Sequence, residues 1–193
     1  MRLQIAGVAF AIGLTFSAVT QAGGVSGSNI GNTCAGCHGV NGASAGTTMP
    51  SIGGLSKAYI ETAMKQYRDG TRGATVMGRI AKGYNDEQIA AMAKFFAAQK
   101  WVSSSDASDA NLAKLGSPIH EKNCEFCHDK NGTNVSDDAP PRIAGQWTAY
   151  LQIYLNGVND PQWKNQHPKK NLFEKVTSKS DIDALLNFYA SKK

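Results

Sequence analysis

The chain has 193 residues and a formal net charge of +5, a length that suits two small domains. Its 20 Lys and Arg residues are dispersed, which excludes the clustered basic surface of a nucleic-acid-binding protein. The sequence has no glycine fingerprint for a nucleotide and no nucleophile paired with a base, so we do not expect it to be catalytic on its own. Beyond the N-terminal region no apolar segment approaches about 20 residues, so we expect no membrane span in the mature chain.

The N-terminus has the pattern of a secretory signal peptide. Arg2 precedes an apolar segment from Ile5 to Val19, and the small-residue pattern Thr20-Gln21-Ala22 follows. This order predicts a signal peptide over residues 1–22 with cleavage after Ala22. The apolar segment is too short to span a bilayer, which disfavours the alternative of a retained N-terminal anchor.

The next feature is the pentapeptide Cys34-Ala35-Gly36-Cys37-His38. Two cysteines separated by two residues and followed directly by histidine form the attachment signature of a c-type haem. We therefore expect Cys34 and Cys37 to bind the haem covalently and His38 to be the proximal iron ligand. The cysteine pair alone would also suit a zinc half-site, a redox dithiol or disulfides. Zinc does not need the adjoining histidine, and a thioredoxin-like dithiol would require a βαβ context that the sequence lacks.

Two helices are predicted after this motif. The first runs from about Ser56, a plausible N-cap, to Asp69, and Gly70 ends it. The second runs from Asp86 to Lys100 and is capped by Asn85 or Asp86. Both carry apolar residues at helical spacing, which predicts that Met64 and Met92 belong to the core.

A second motif follows a polar segment that has no apolar periodicity. Residues 103–110 are predicted to form a linker between domains at 23–102 and 111–193. A helix from about Asn111 leads into Cys124-Glu125-Phe126-Cys127-His128. We expect Cys124 and Cys127 to attach a second haem c and His128 to be its proximal ligand.

The two halves repeat each other beyond the motifs. Ile52 and Tyr59 match Ile143 and Tyr150 at an offset of 91, and the C-terminal helices match at an offset of 93. Such a pattern indicates an internal duplication, and each copy is helical. The fold class predicted is all-α, with two tandem haem domains. A domain of about 80 residues is marginal by apolar burial alone, so the haem is expected to complete each core.

Several segments carry a family resemblance. They are Thr75 to Tyr84 in the first half, and His120 to Cys124, Ala144 to Thr148 and Leu185 to Ser191 in the second. With these segments the chain resembles diheme cytochromes c built from two class I domains, of the c-four type. More closely, it resembles the cytochrome subunits of flavocytochrome c sulfide dehydrogenases.

The resemblance implies a periplasmic electron-transfer subunit, since covalent haem attachment in this family takes place outside the cytoplasm. Its partner would be a flavoprotein subunit that holds FAD and oxidises sulfide, and its electrons would pass to a downstream acceptor. Two other functions stay open. The chain could be a free-standing c-four type shuttle to a terminal oxidase or reductase, or a diheme enzyme with a catalytic second haem.

The resemblance also implies the second axial ligand of the first haem. In class I domains this ligand is usually a methionine C-terminal to the motif, and Met77 occupies that position. Core packing is the alternative role for Met77. Met49 follows the motif too closely to be favoured as the ligand.

The second half departs from the family pattern, because the chain has no methionine after Met92. His167 lies in the expected loop and is the natural replacement, which would give a bis-histidine haem of lower potential. The alternatives are Lys169 or Lys170 as ligand, a five-coordinate iron, or a His167 that is merely solvated.

Further roles are implied for residues around the haems. In class I domains a proline carbonyl accepts the proximal imidazole N–H, a role that falls to Pro50 and Pro141. His120 is expected to be a surface or propionate-side residue. Three aromatic residues are expected to line the haem crevices or the lobe interface, although core packing would explain them equally well: Tyr59, Trp147 and Tyr150.

Overall fold

The computed structural model describes residues 26–129, 131–138, 140–157 and 178–193. The regular elements among these residues are helical, as predicted, and none of the described helices is long and apolar enough to cross a membrane. The predicted signal peptide, residues 1–22, lies outside the described residues. The α-helices are α1 Gly27–Thr33, α2 Ala35–His38, α3 Lys57–Arg68, α4 Met77–Ile80, α5 Asp86–Ala97, α6 Ala110–Asn123, α7 Glu125–His128, α8 Thr148–Gly157 and α9 Lys179–Ser191.

In lobe one (residues 26–102), α1 crosses α5 at close range. A side chain at Gly27 would collide with the backbone carbonyl of Ala91, and one at Gly31 would collide with the ring of Phe95. Glycine at these two positions therefore allows the helices to approach each other. The buried core of this lobe contains both methionines that the sequence assigned to it: Leu55, Ile60, Met64, Ala81, Ile89, Met92, Ala93 and Phe96.

The ends of α3 and α5 follow from their caps. Ser56 accepts a hydrogen bond from the Tyr59 amide, so α3 begins where the sequence predicted. Asn85 and Gln88 form a reciprocal capping box at the start of α5. This helix ends at Ala97, earlier than the predicted Lys100. Its Phe96 carbonyl accepts a hydrogen bond from the Gly54 amide at 2.8 Å, so a neighbouring loop satisfies the end of the helix.

In lobe two (residues 103–193), α6 and α9 repeat this crossing. Asp109 caps α6 by accepting hydrogen bonds from two backbone amides, close to the predicted start at Asn111. A side chain at Gly116 would collide with the Ala184 carbonyl of α9. The crossing therefore depends on a glycine here as well, and the buried core beside it consists of Leu151, Leu185, Leu186, Phe188 and Tyr189.

The segment predicted as a linker, residues 103–110, is hydrogen-bonded to the rest of lobe two. The Ser104 amide donates to the Gly145 carbonyl at 2.7 Å. The Asp106 carboxylate accepts hydrogen bonds from the amide and hydroxyl of Thr148, at 2.7 and 2.8 Å. These contacts fix the segment at the start of α8, because a carboxylate there satisfies an amide of the first helical turn. The predicted domain boundaries stay predictions.

Candidate haem-binding sites

Each attachment motif folds as one tight turn at the end of a longer helix. The His38 amide donates to the Cys34 carbonyl at 2.9 Å, and the His128 amide donates to the Cys124 carbonyl at the same distance. The turn therefore brings the two thiols and the imidazole of each motif onto adjoining turns of backbone. None of the four cysteines forms a disulfide. Within the described ranges, no cluster of three or more His, Cys, Asp or Glu side chains could hold a metal ion.

The imidazoles of His38 and His128, the predicted proximal ligands, are oriented by the proline carbonyls that the family resemblance implied. Nδ1 of His38 donates to the carbonyl of Pro50 at 2.9 Å, and Nδ1 of His128 donates to the carbonyl of Pro141 at 3.1 Å. A carbonyl only accepts, so the proton of each neutral ring lies on Nδ1, and Nε2 keeps its lone pair. Burial lowers the pKa of both imidazoles and outweighs the proline bond, which raises it. Both rings therefore favour the neutral form that binds iron.

The proline carbonyls are themselves held by duplicated turns. In lobe one the Gly42 carbonyl accepts hydrogen bonds from the amides of Ile52 and Gly53, at 2.8 and 3.1 Å. In lobe two the corresponding Gly132 carbonyl accepts from Ile143 and Ala144, both at 2.9 Å. The duplication seen in the sequence thus extends to individual hydrogen bonds.

Met77 is the first residue of the one-turn helix α4. Its half-buried side chain packs against the core of lobe one. Met49, by contrast, is 39% exposed. A role for Met77 as iron ligand stays a prediction. His167, Lys169 and Lys170 lie outside the described residues.

The lobes meet through buried polar contacts. The Gln146 side chain is 3% exposed and binds both backbone groups of Ser51: its oxygen accepts from the amide, and its nitrogen donates to the carbonyl, each at 2.9 Å. The Trp147 indole N–H donates to the Ser44 carbonyl at 3.0 Å. Trp147 therefore lies at the lobe interface, one of the two places expected for it. The lobe-one partners of Gln146 and Trp147 belong to the loop between the first motif and α3.

A buried guanidinium lies in an aromatic cluster at this junction. Arg72 is 9% exposed, and its guanidinium carbon lies 5.4 Å from the ring centre of Tyr59 and 4.9 Å from that of Tyr67. It donates one hydrogen bond to the Tyr59 hydroxyl at 2.9 Å. From lobe two, Tyr150 and Tyr154 contribute to the same electrostatic environment, and burial raises the pKa of Tyr154 to about 12.

The charge of Arg72 provides a test of whether this structure fits a haem. Its Nε atom has no hydrogen-bond partner, and none of the ion pairs among the described residues involves it. A buried cation without a counter-ion is costly, because it has lost its hydration. Haem carries two propionate carboxylates, which are the anions that such a site lacks. The residues present therefore fit the group that the motifs call for.

Comparisons with known proteins agree with this site. The family model described as "Cytochrome c" matches residues 26–100. Cytochrome c-554(548) of Halomonas halodenitrificans is 37% identical over 71 residues, which cover 35% of this chain and 86% of that protein. This chain belongs to the cytochrome c family. The cytochrome subunit of sulfide dehydrogenase from Chlorobaculum tepidum is 50% identical over 64 residues, or 33% of this chain and 57% of that subunit.

Relatives that match along most of this chain are cytochromes c4. Cytochrome c4 of Pseudomonas aeruginosa is 24% identical over 188 residues, which cover 92% of each chain. The solved structure of cytochrome c4 from Pseudomonas stutzeri superposes with a TM-score of 0.75 at 22% identity, over 86% of this chain and 97% of that one. The fold of this cytochrome c is therefore two tandem cytochrome c domains, as predicted. It binds two covalently attached haem c groups and transfers electrons.

Two residues of this site were not predicted from the sequence. His120 was expected at the surface or beside a propionate, but it is 1% exposed and lies in lobe two against Tyr189, so the prediction of a surface position is wrong. The other missed residue is Arg72. A signal for the first was available in the duplication, because Tyr189 stands at the offset of 93 from Phe96. A hydroxyl added to a core position requires a polar partner.

Proposed function

We propose that this diheme cytochrome c is the cytochrome subunit of a periplasmic sulfide dehydrogenase. It accepts electrons from a flavoprotein subunit that holds FAD, and it passes them to a downstream acceptor. The observation that carries the proposal is the 50% identity to the Chlorobaculum tepidum subunit. The resemblance read from the sequence points to the same family. Export would follow from a signal peptide at residues 1–22.

The proposal assigns a role to each motif residue. The iron of each bound haem supplies one-electron redox chemistry. Neutral His38 and His128, each held by a proline carbonyl, are proximal ligands. Met77 and His167 are the second ligands. Because a thioether raises the potential relative to a second imidazole, lobe one would hold the haem of higher potential. The thioether attachments are assigned to Cys34, Cys37, Cys124 and Cys127.

Two haems on one chain suit a flavin donor. A reduced flavin gives up two electrons, whereas each haem iron accepts one. The polar lobe junction keeps both carriers in one unit, since Gln146 ties the backbone of the lobe-one loop to lobe two. The chemistry at sulfur would belong to the partner subunit.

A free-standing carrier of the c4 type is the second candidate. The match to cytochrome c4 of Pseudomonas aeruginosa covers 92% of both chains, whereas the sulfide dehydrogenase match covers 33% of this chain. In this case the chain would act without a bound flavoprotein, and a soluble donor would reduce it.

Purification of the full chain from its native host separates the two candidates. We expect a flavin-containing polypeptide to copurify, and sulfide to reduce both haems in the complex. As a control, the subunits are dissociated, and sulfide is added to the cytochrome before and after the flavoprotein is returned. Rapid reduction should reappear only with the flavoprotein. A chain that stays monomeric and flavin-free through every step would contradict the proposal and favour the free carrier.

A further inference from the structure

The residue directly after the second proximal histidine has an unusual backbone conformation. Asp129 has φ 58° and ψ 177°, which is a backbone region that residues other than glycine rarely occupy. Lobe one has glycine at this point: Gly39 has φ 74° and ψ 168°. A side chain at Gly39 would also collide with the carbonyl of Ala43. Lobe two therefore has at Asp129 the backbone conformation that lobe one has at Gly39. Because aspartate is not glycine, other contacts must stabilise this conformation.

Both ends of Asp129 are held by hydrogen bonds. Its carboxylate accepts from the amide of Asn131 at 3.1 Å and from the amide and hydroxyl of Thr133, at 3.0 and 3.3 Å. Its backbone carbonyl lies 2.7 Å from Nε2 of His120. The carboxylate contacts are local to the turn. The His120 contact is the one that ties the turn to another helix.

The buried surroundings of His120 fix which of its nitrogens carries the proton. The Asp129 carbonyl can only accept, so Nε2 carries the hydrogen. In the neutral ring Nδ1 then accepts from the Tyr189 hydroxyl at 2.9 Å. The ring also lies against Phe188, with centres 5.0 Å apart. Both polar atoms of a side chain that is 1% exposed are thus satisfied.

Lobe one lacks this arrangement. The position four residues before its first motif cysteine is Ile30, and Phe96 stands where lobe two has Tyr189. Neither side chain can make a hydrogen bond. The three differences between the lobes therefore occur together: a glycine is replaced by aspartate, and two apolar side chains are replaced by a histidine and a tyrosine.

A short series of contacts leads from His120 to the proximal ligand. The turn that begins at Asp129 contains Gly132, whose carbonyl accepts the amides of Ile143 and Ala144. Pro141, two residues before Ile143, accepts the Nδ1 proton of His128. The His128 ring is thus connected to the turn through Pro141, and the turn is connected to His120 through the Asp129 carbonyl.

We propose that His120 is a positioning residue for the proximal ligand of the second haem. Its Nε2–H holds the Asp129 carbonyl, and so supports in lobe two the backbone conformation that glycine supports unaided in lobe one. This inference rests on the two haem-binding motifs and is independent of the partner protein.

Two variants separate the hydrogen bonds of His120. In His120→Gln the amide nitrogen takes the place of Nε2 and can still donate to Asp129. In His120→Asn the shorter side chain takes the place of Nδ1 and can reach only Tyr189. The readouts are haem content, the electron paramagnetic resonance spectrum of the oxidised protein, which reports ligand orientation, and the two reduction potentials. The lobe-one haem is an internal control.

We expect His120→Gln to resemble the native protein. We expect His120→Asn to shift the spectrum and potential of the lobe-two haem, or to lower haem content from two to one per chain. Adding Asp129→Gly to His120→Asn should restore the native values, since glycine needs no support. Three results would overturn the proposal: a native-like His120→Asn, a His120→Gln displaced as far as His120→Asn, or a second substitution that restores nothing.

Discussion

Met77 is the residue on which the properties of the first haem should depend most directly. Met77 is the first residue of α4, and its half-buried side chain packs on the lobe-one core. Because a thioether ligand raises the reduction potential, we expect Met77→His to lower the potential of the first haem. Met77→Ala should leave its iron high-spin. Visible spectra and a potentiometric titration check both results.

Met49 provides the matched control for this prediction. It is 39% exposed and belongs to the same lobe, so Met49→Ala should change neither the spectrum nor the potential. A Met77→Ala protein with two fully low-spin haems would show that Met77 serves the core and that another group completes the first haem.

Single residues also show what the sequence could and could not predict. The motif predicts His38 and His128 as proximal ligands because it places thiols and imidazole within five residues. The Pro50 and Pro141 contacts came from family resemblance. The bond between His120 and Tyr189 joins residues 69 apart and brings two helices together. The duplication marks Tyr189 as a core hydroxyl that requires a polar partner, but only the packing of α6 against α9 identifies that partner as His120.

At the scale of whole elements, caps and crossings account for most of the helices. Ser56 and Asn85 fixed the starts of α3 and α5 because their side chains satisfy amides of the first turn. The end of α5 was predicted too late. Its Phe96 carbonyl accepts hydrogen bonds from the nearby Gln99 amide at 3.0 Å and from the Gly54 amide at 2.8 Å, and the second donor is distant in sequence. Helix starts are thus encoded locally here, whereas this helix end combines a local turn with a tertiary contact.

The helix crossing in lobe two gives a stability prediction. At Gly116 an added Cβ would meet the carbonyl of Ala184 and the Cβ of Phe188. Alanine favours a helix by up to about 1 kcal/mol over glycine, but overpacking costs about 1–3 kcal/mol. We therefore expect Gly116→Ala to lower the free energy of unfolding of lobe two, measured by denaturant titration. Gly83→Ala is the control, since no atom lies within 4 Å of the added Cβ. Equal stability of the two variants would show that α6 can shift without cost.

At the scale of the whole molecule, the junction is the place where the two lobes contact each other. Gln146 and Trp147 bind the lobe-one backbone directly, and both are buried. Arg72 lies beside tyrosines of both lobes. A charge placed there acts on both halves, because a buried site screens charge less than water does. The duplication predicted two similar lobes, but it carried no information about this shared cation.

Replacement of Arg72 tests this coupling. A cation that pairs with haem propionates would stabilise reduced iron, so we expect Arg72→Gln to lower the potentials of both haems. A change on the order of 1.4 kcal/mol corresponds to about 59 mV for a one-electron couple. Arg79→Gln removes the same charge from an exposed position and should produce a smaller shift. A lower reduction potential of the first haem alone would show that the charge of Arg72 acts only on lobe one. A shift no larger than that of Arg79→Gln would contradict its role as a counter-ion, because solvent would then already screen the charge.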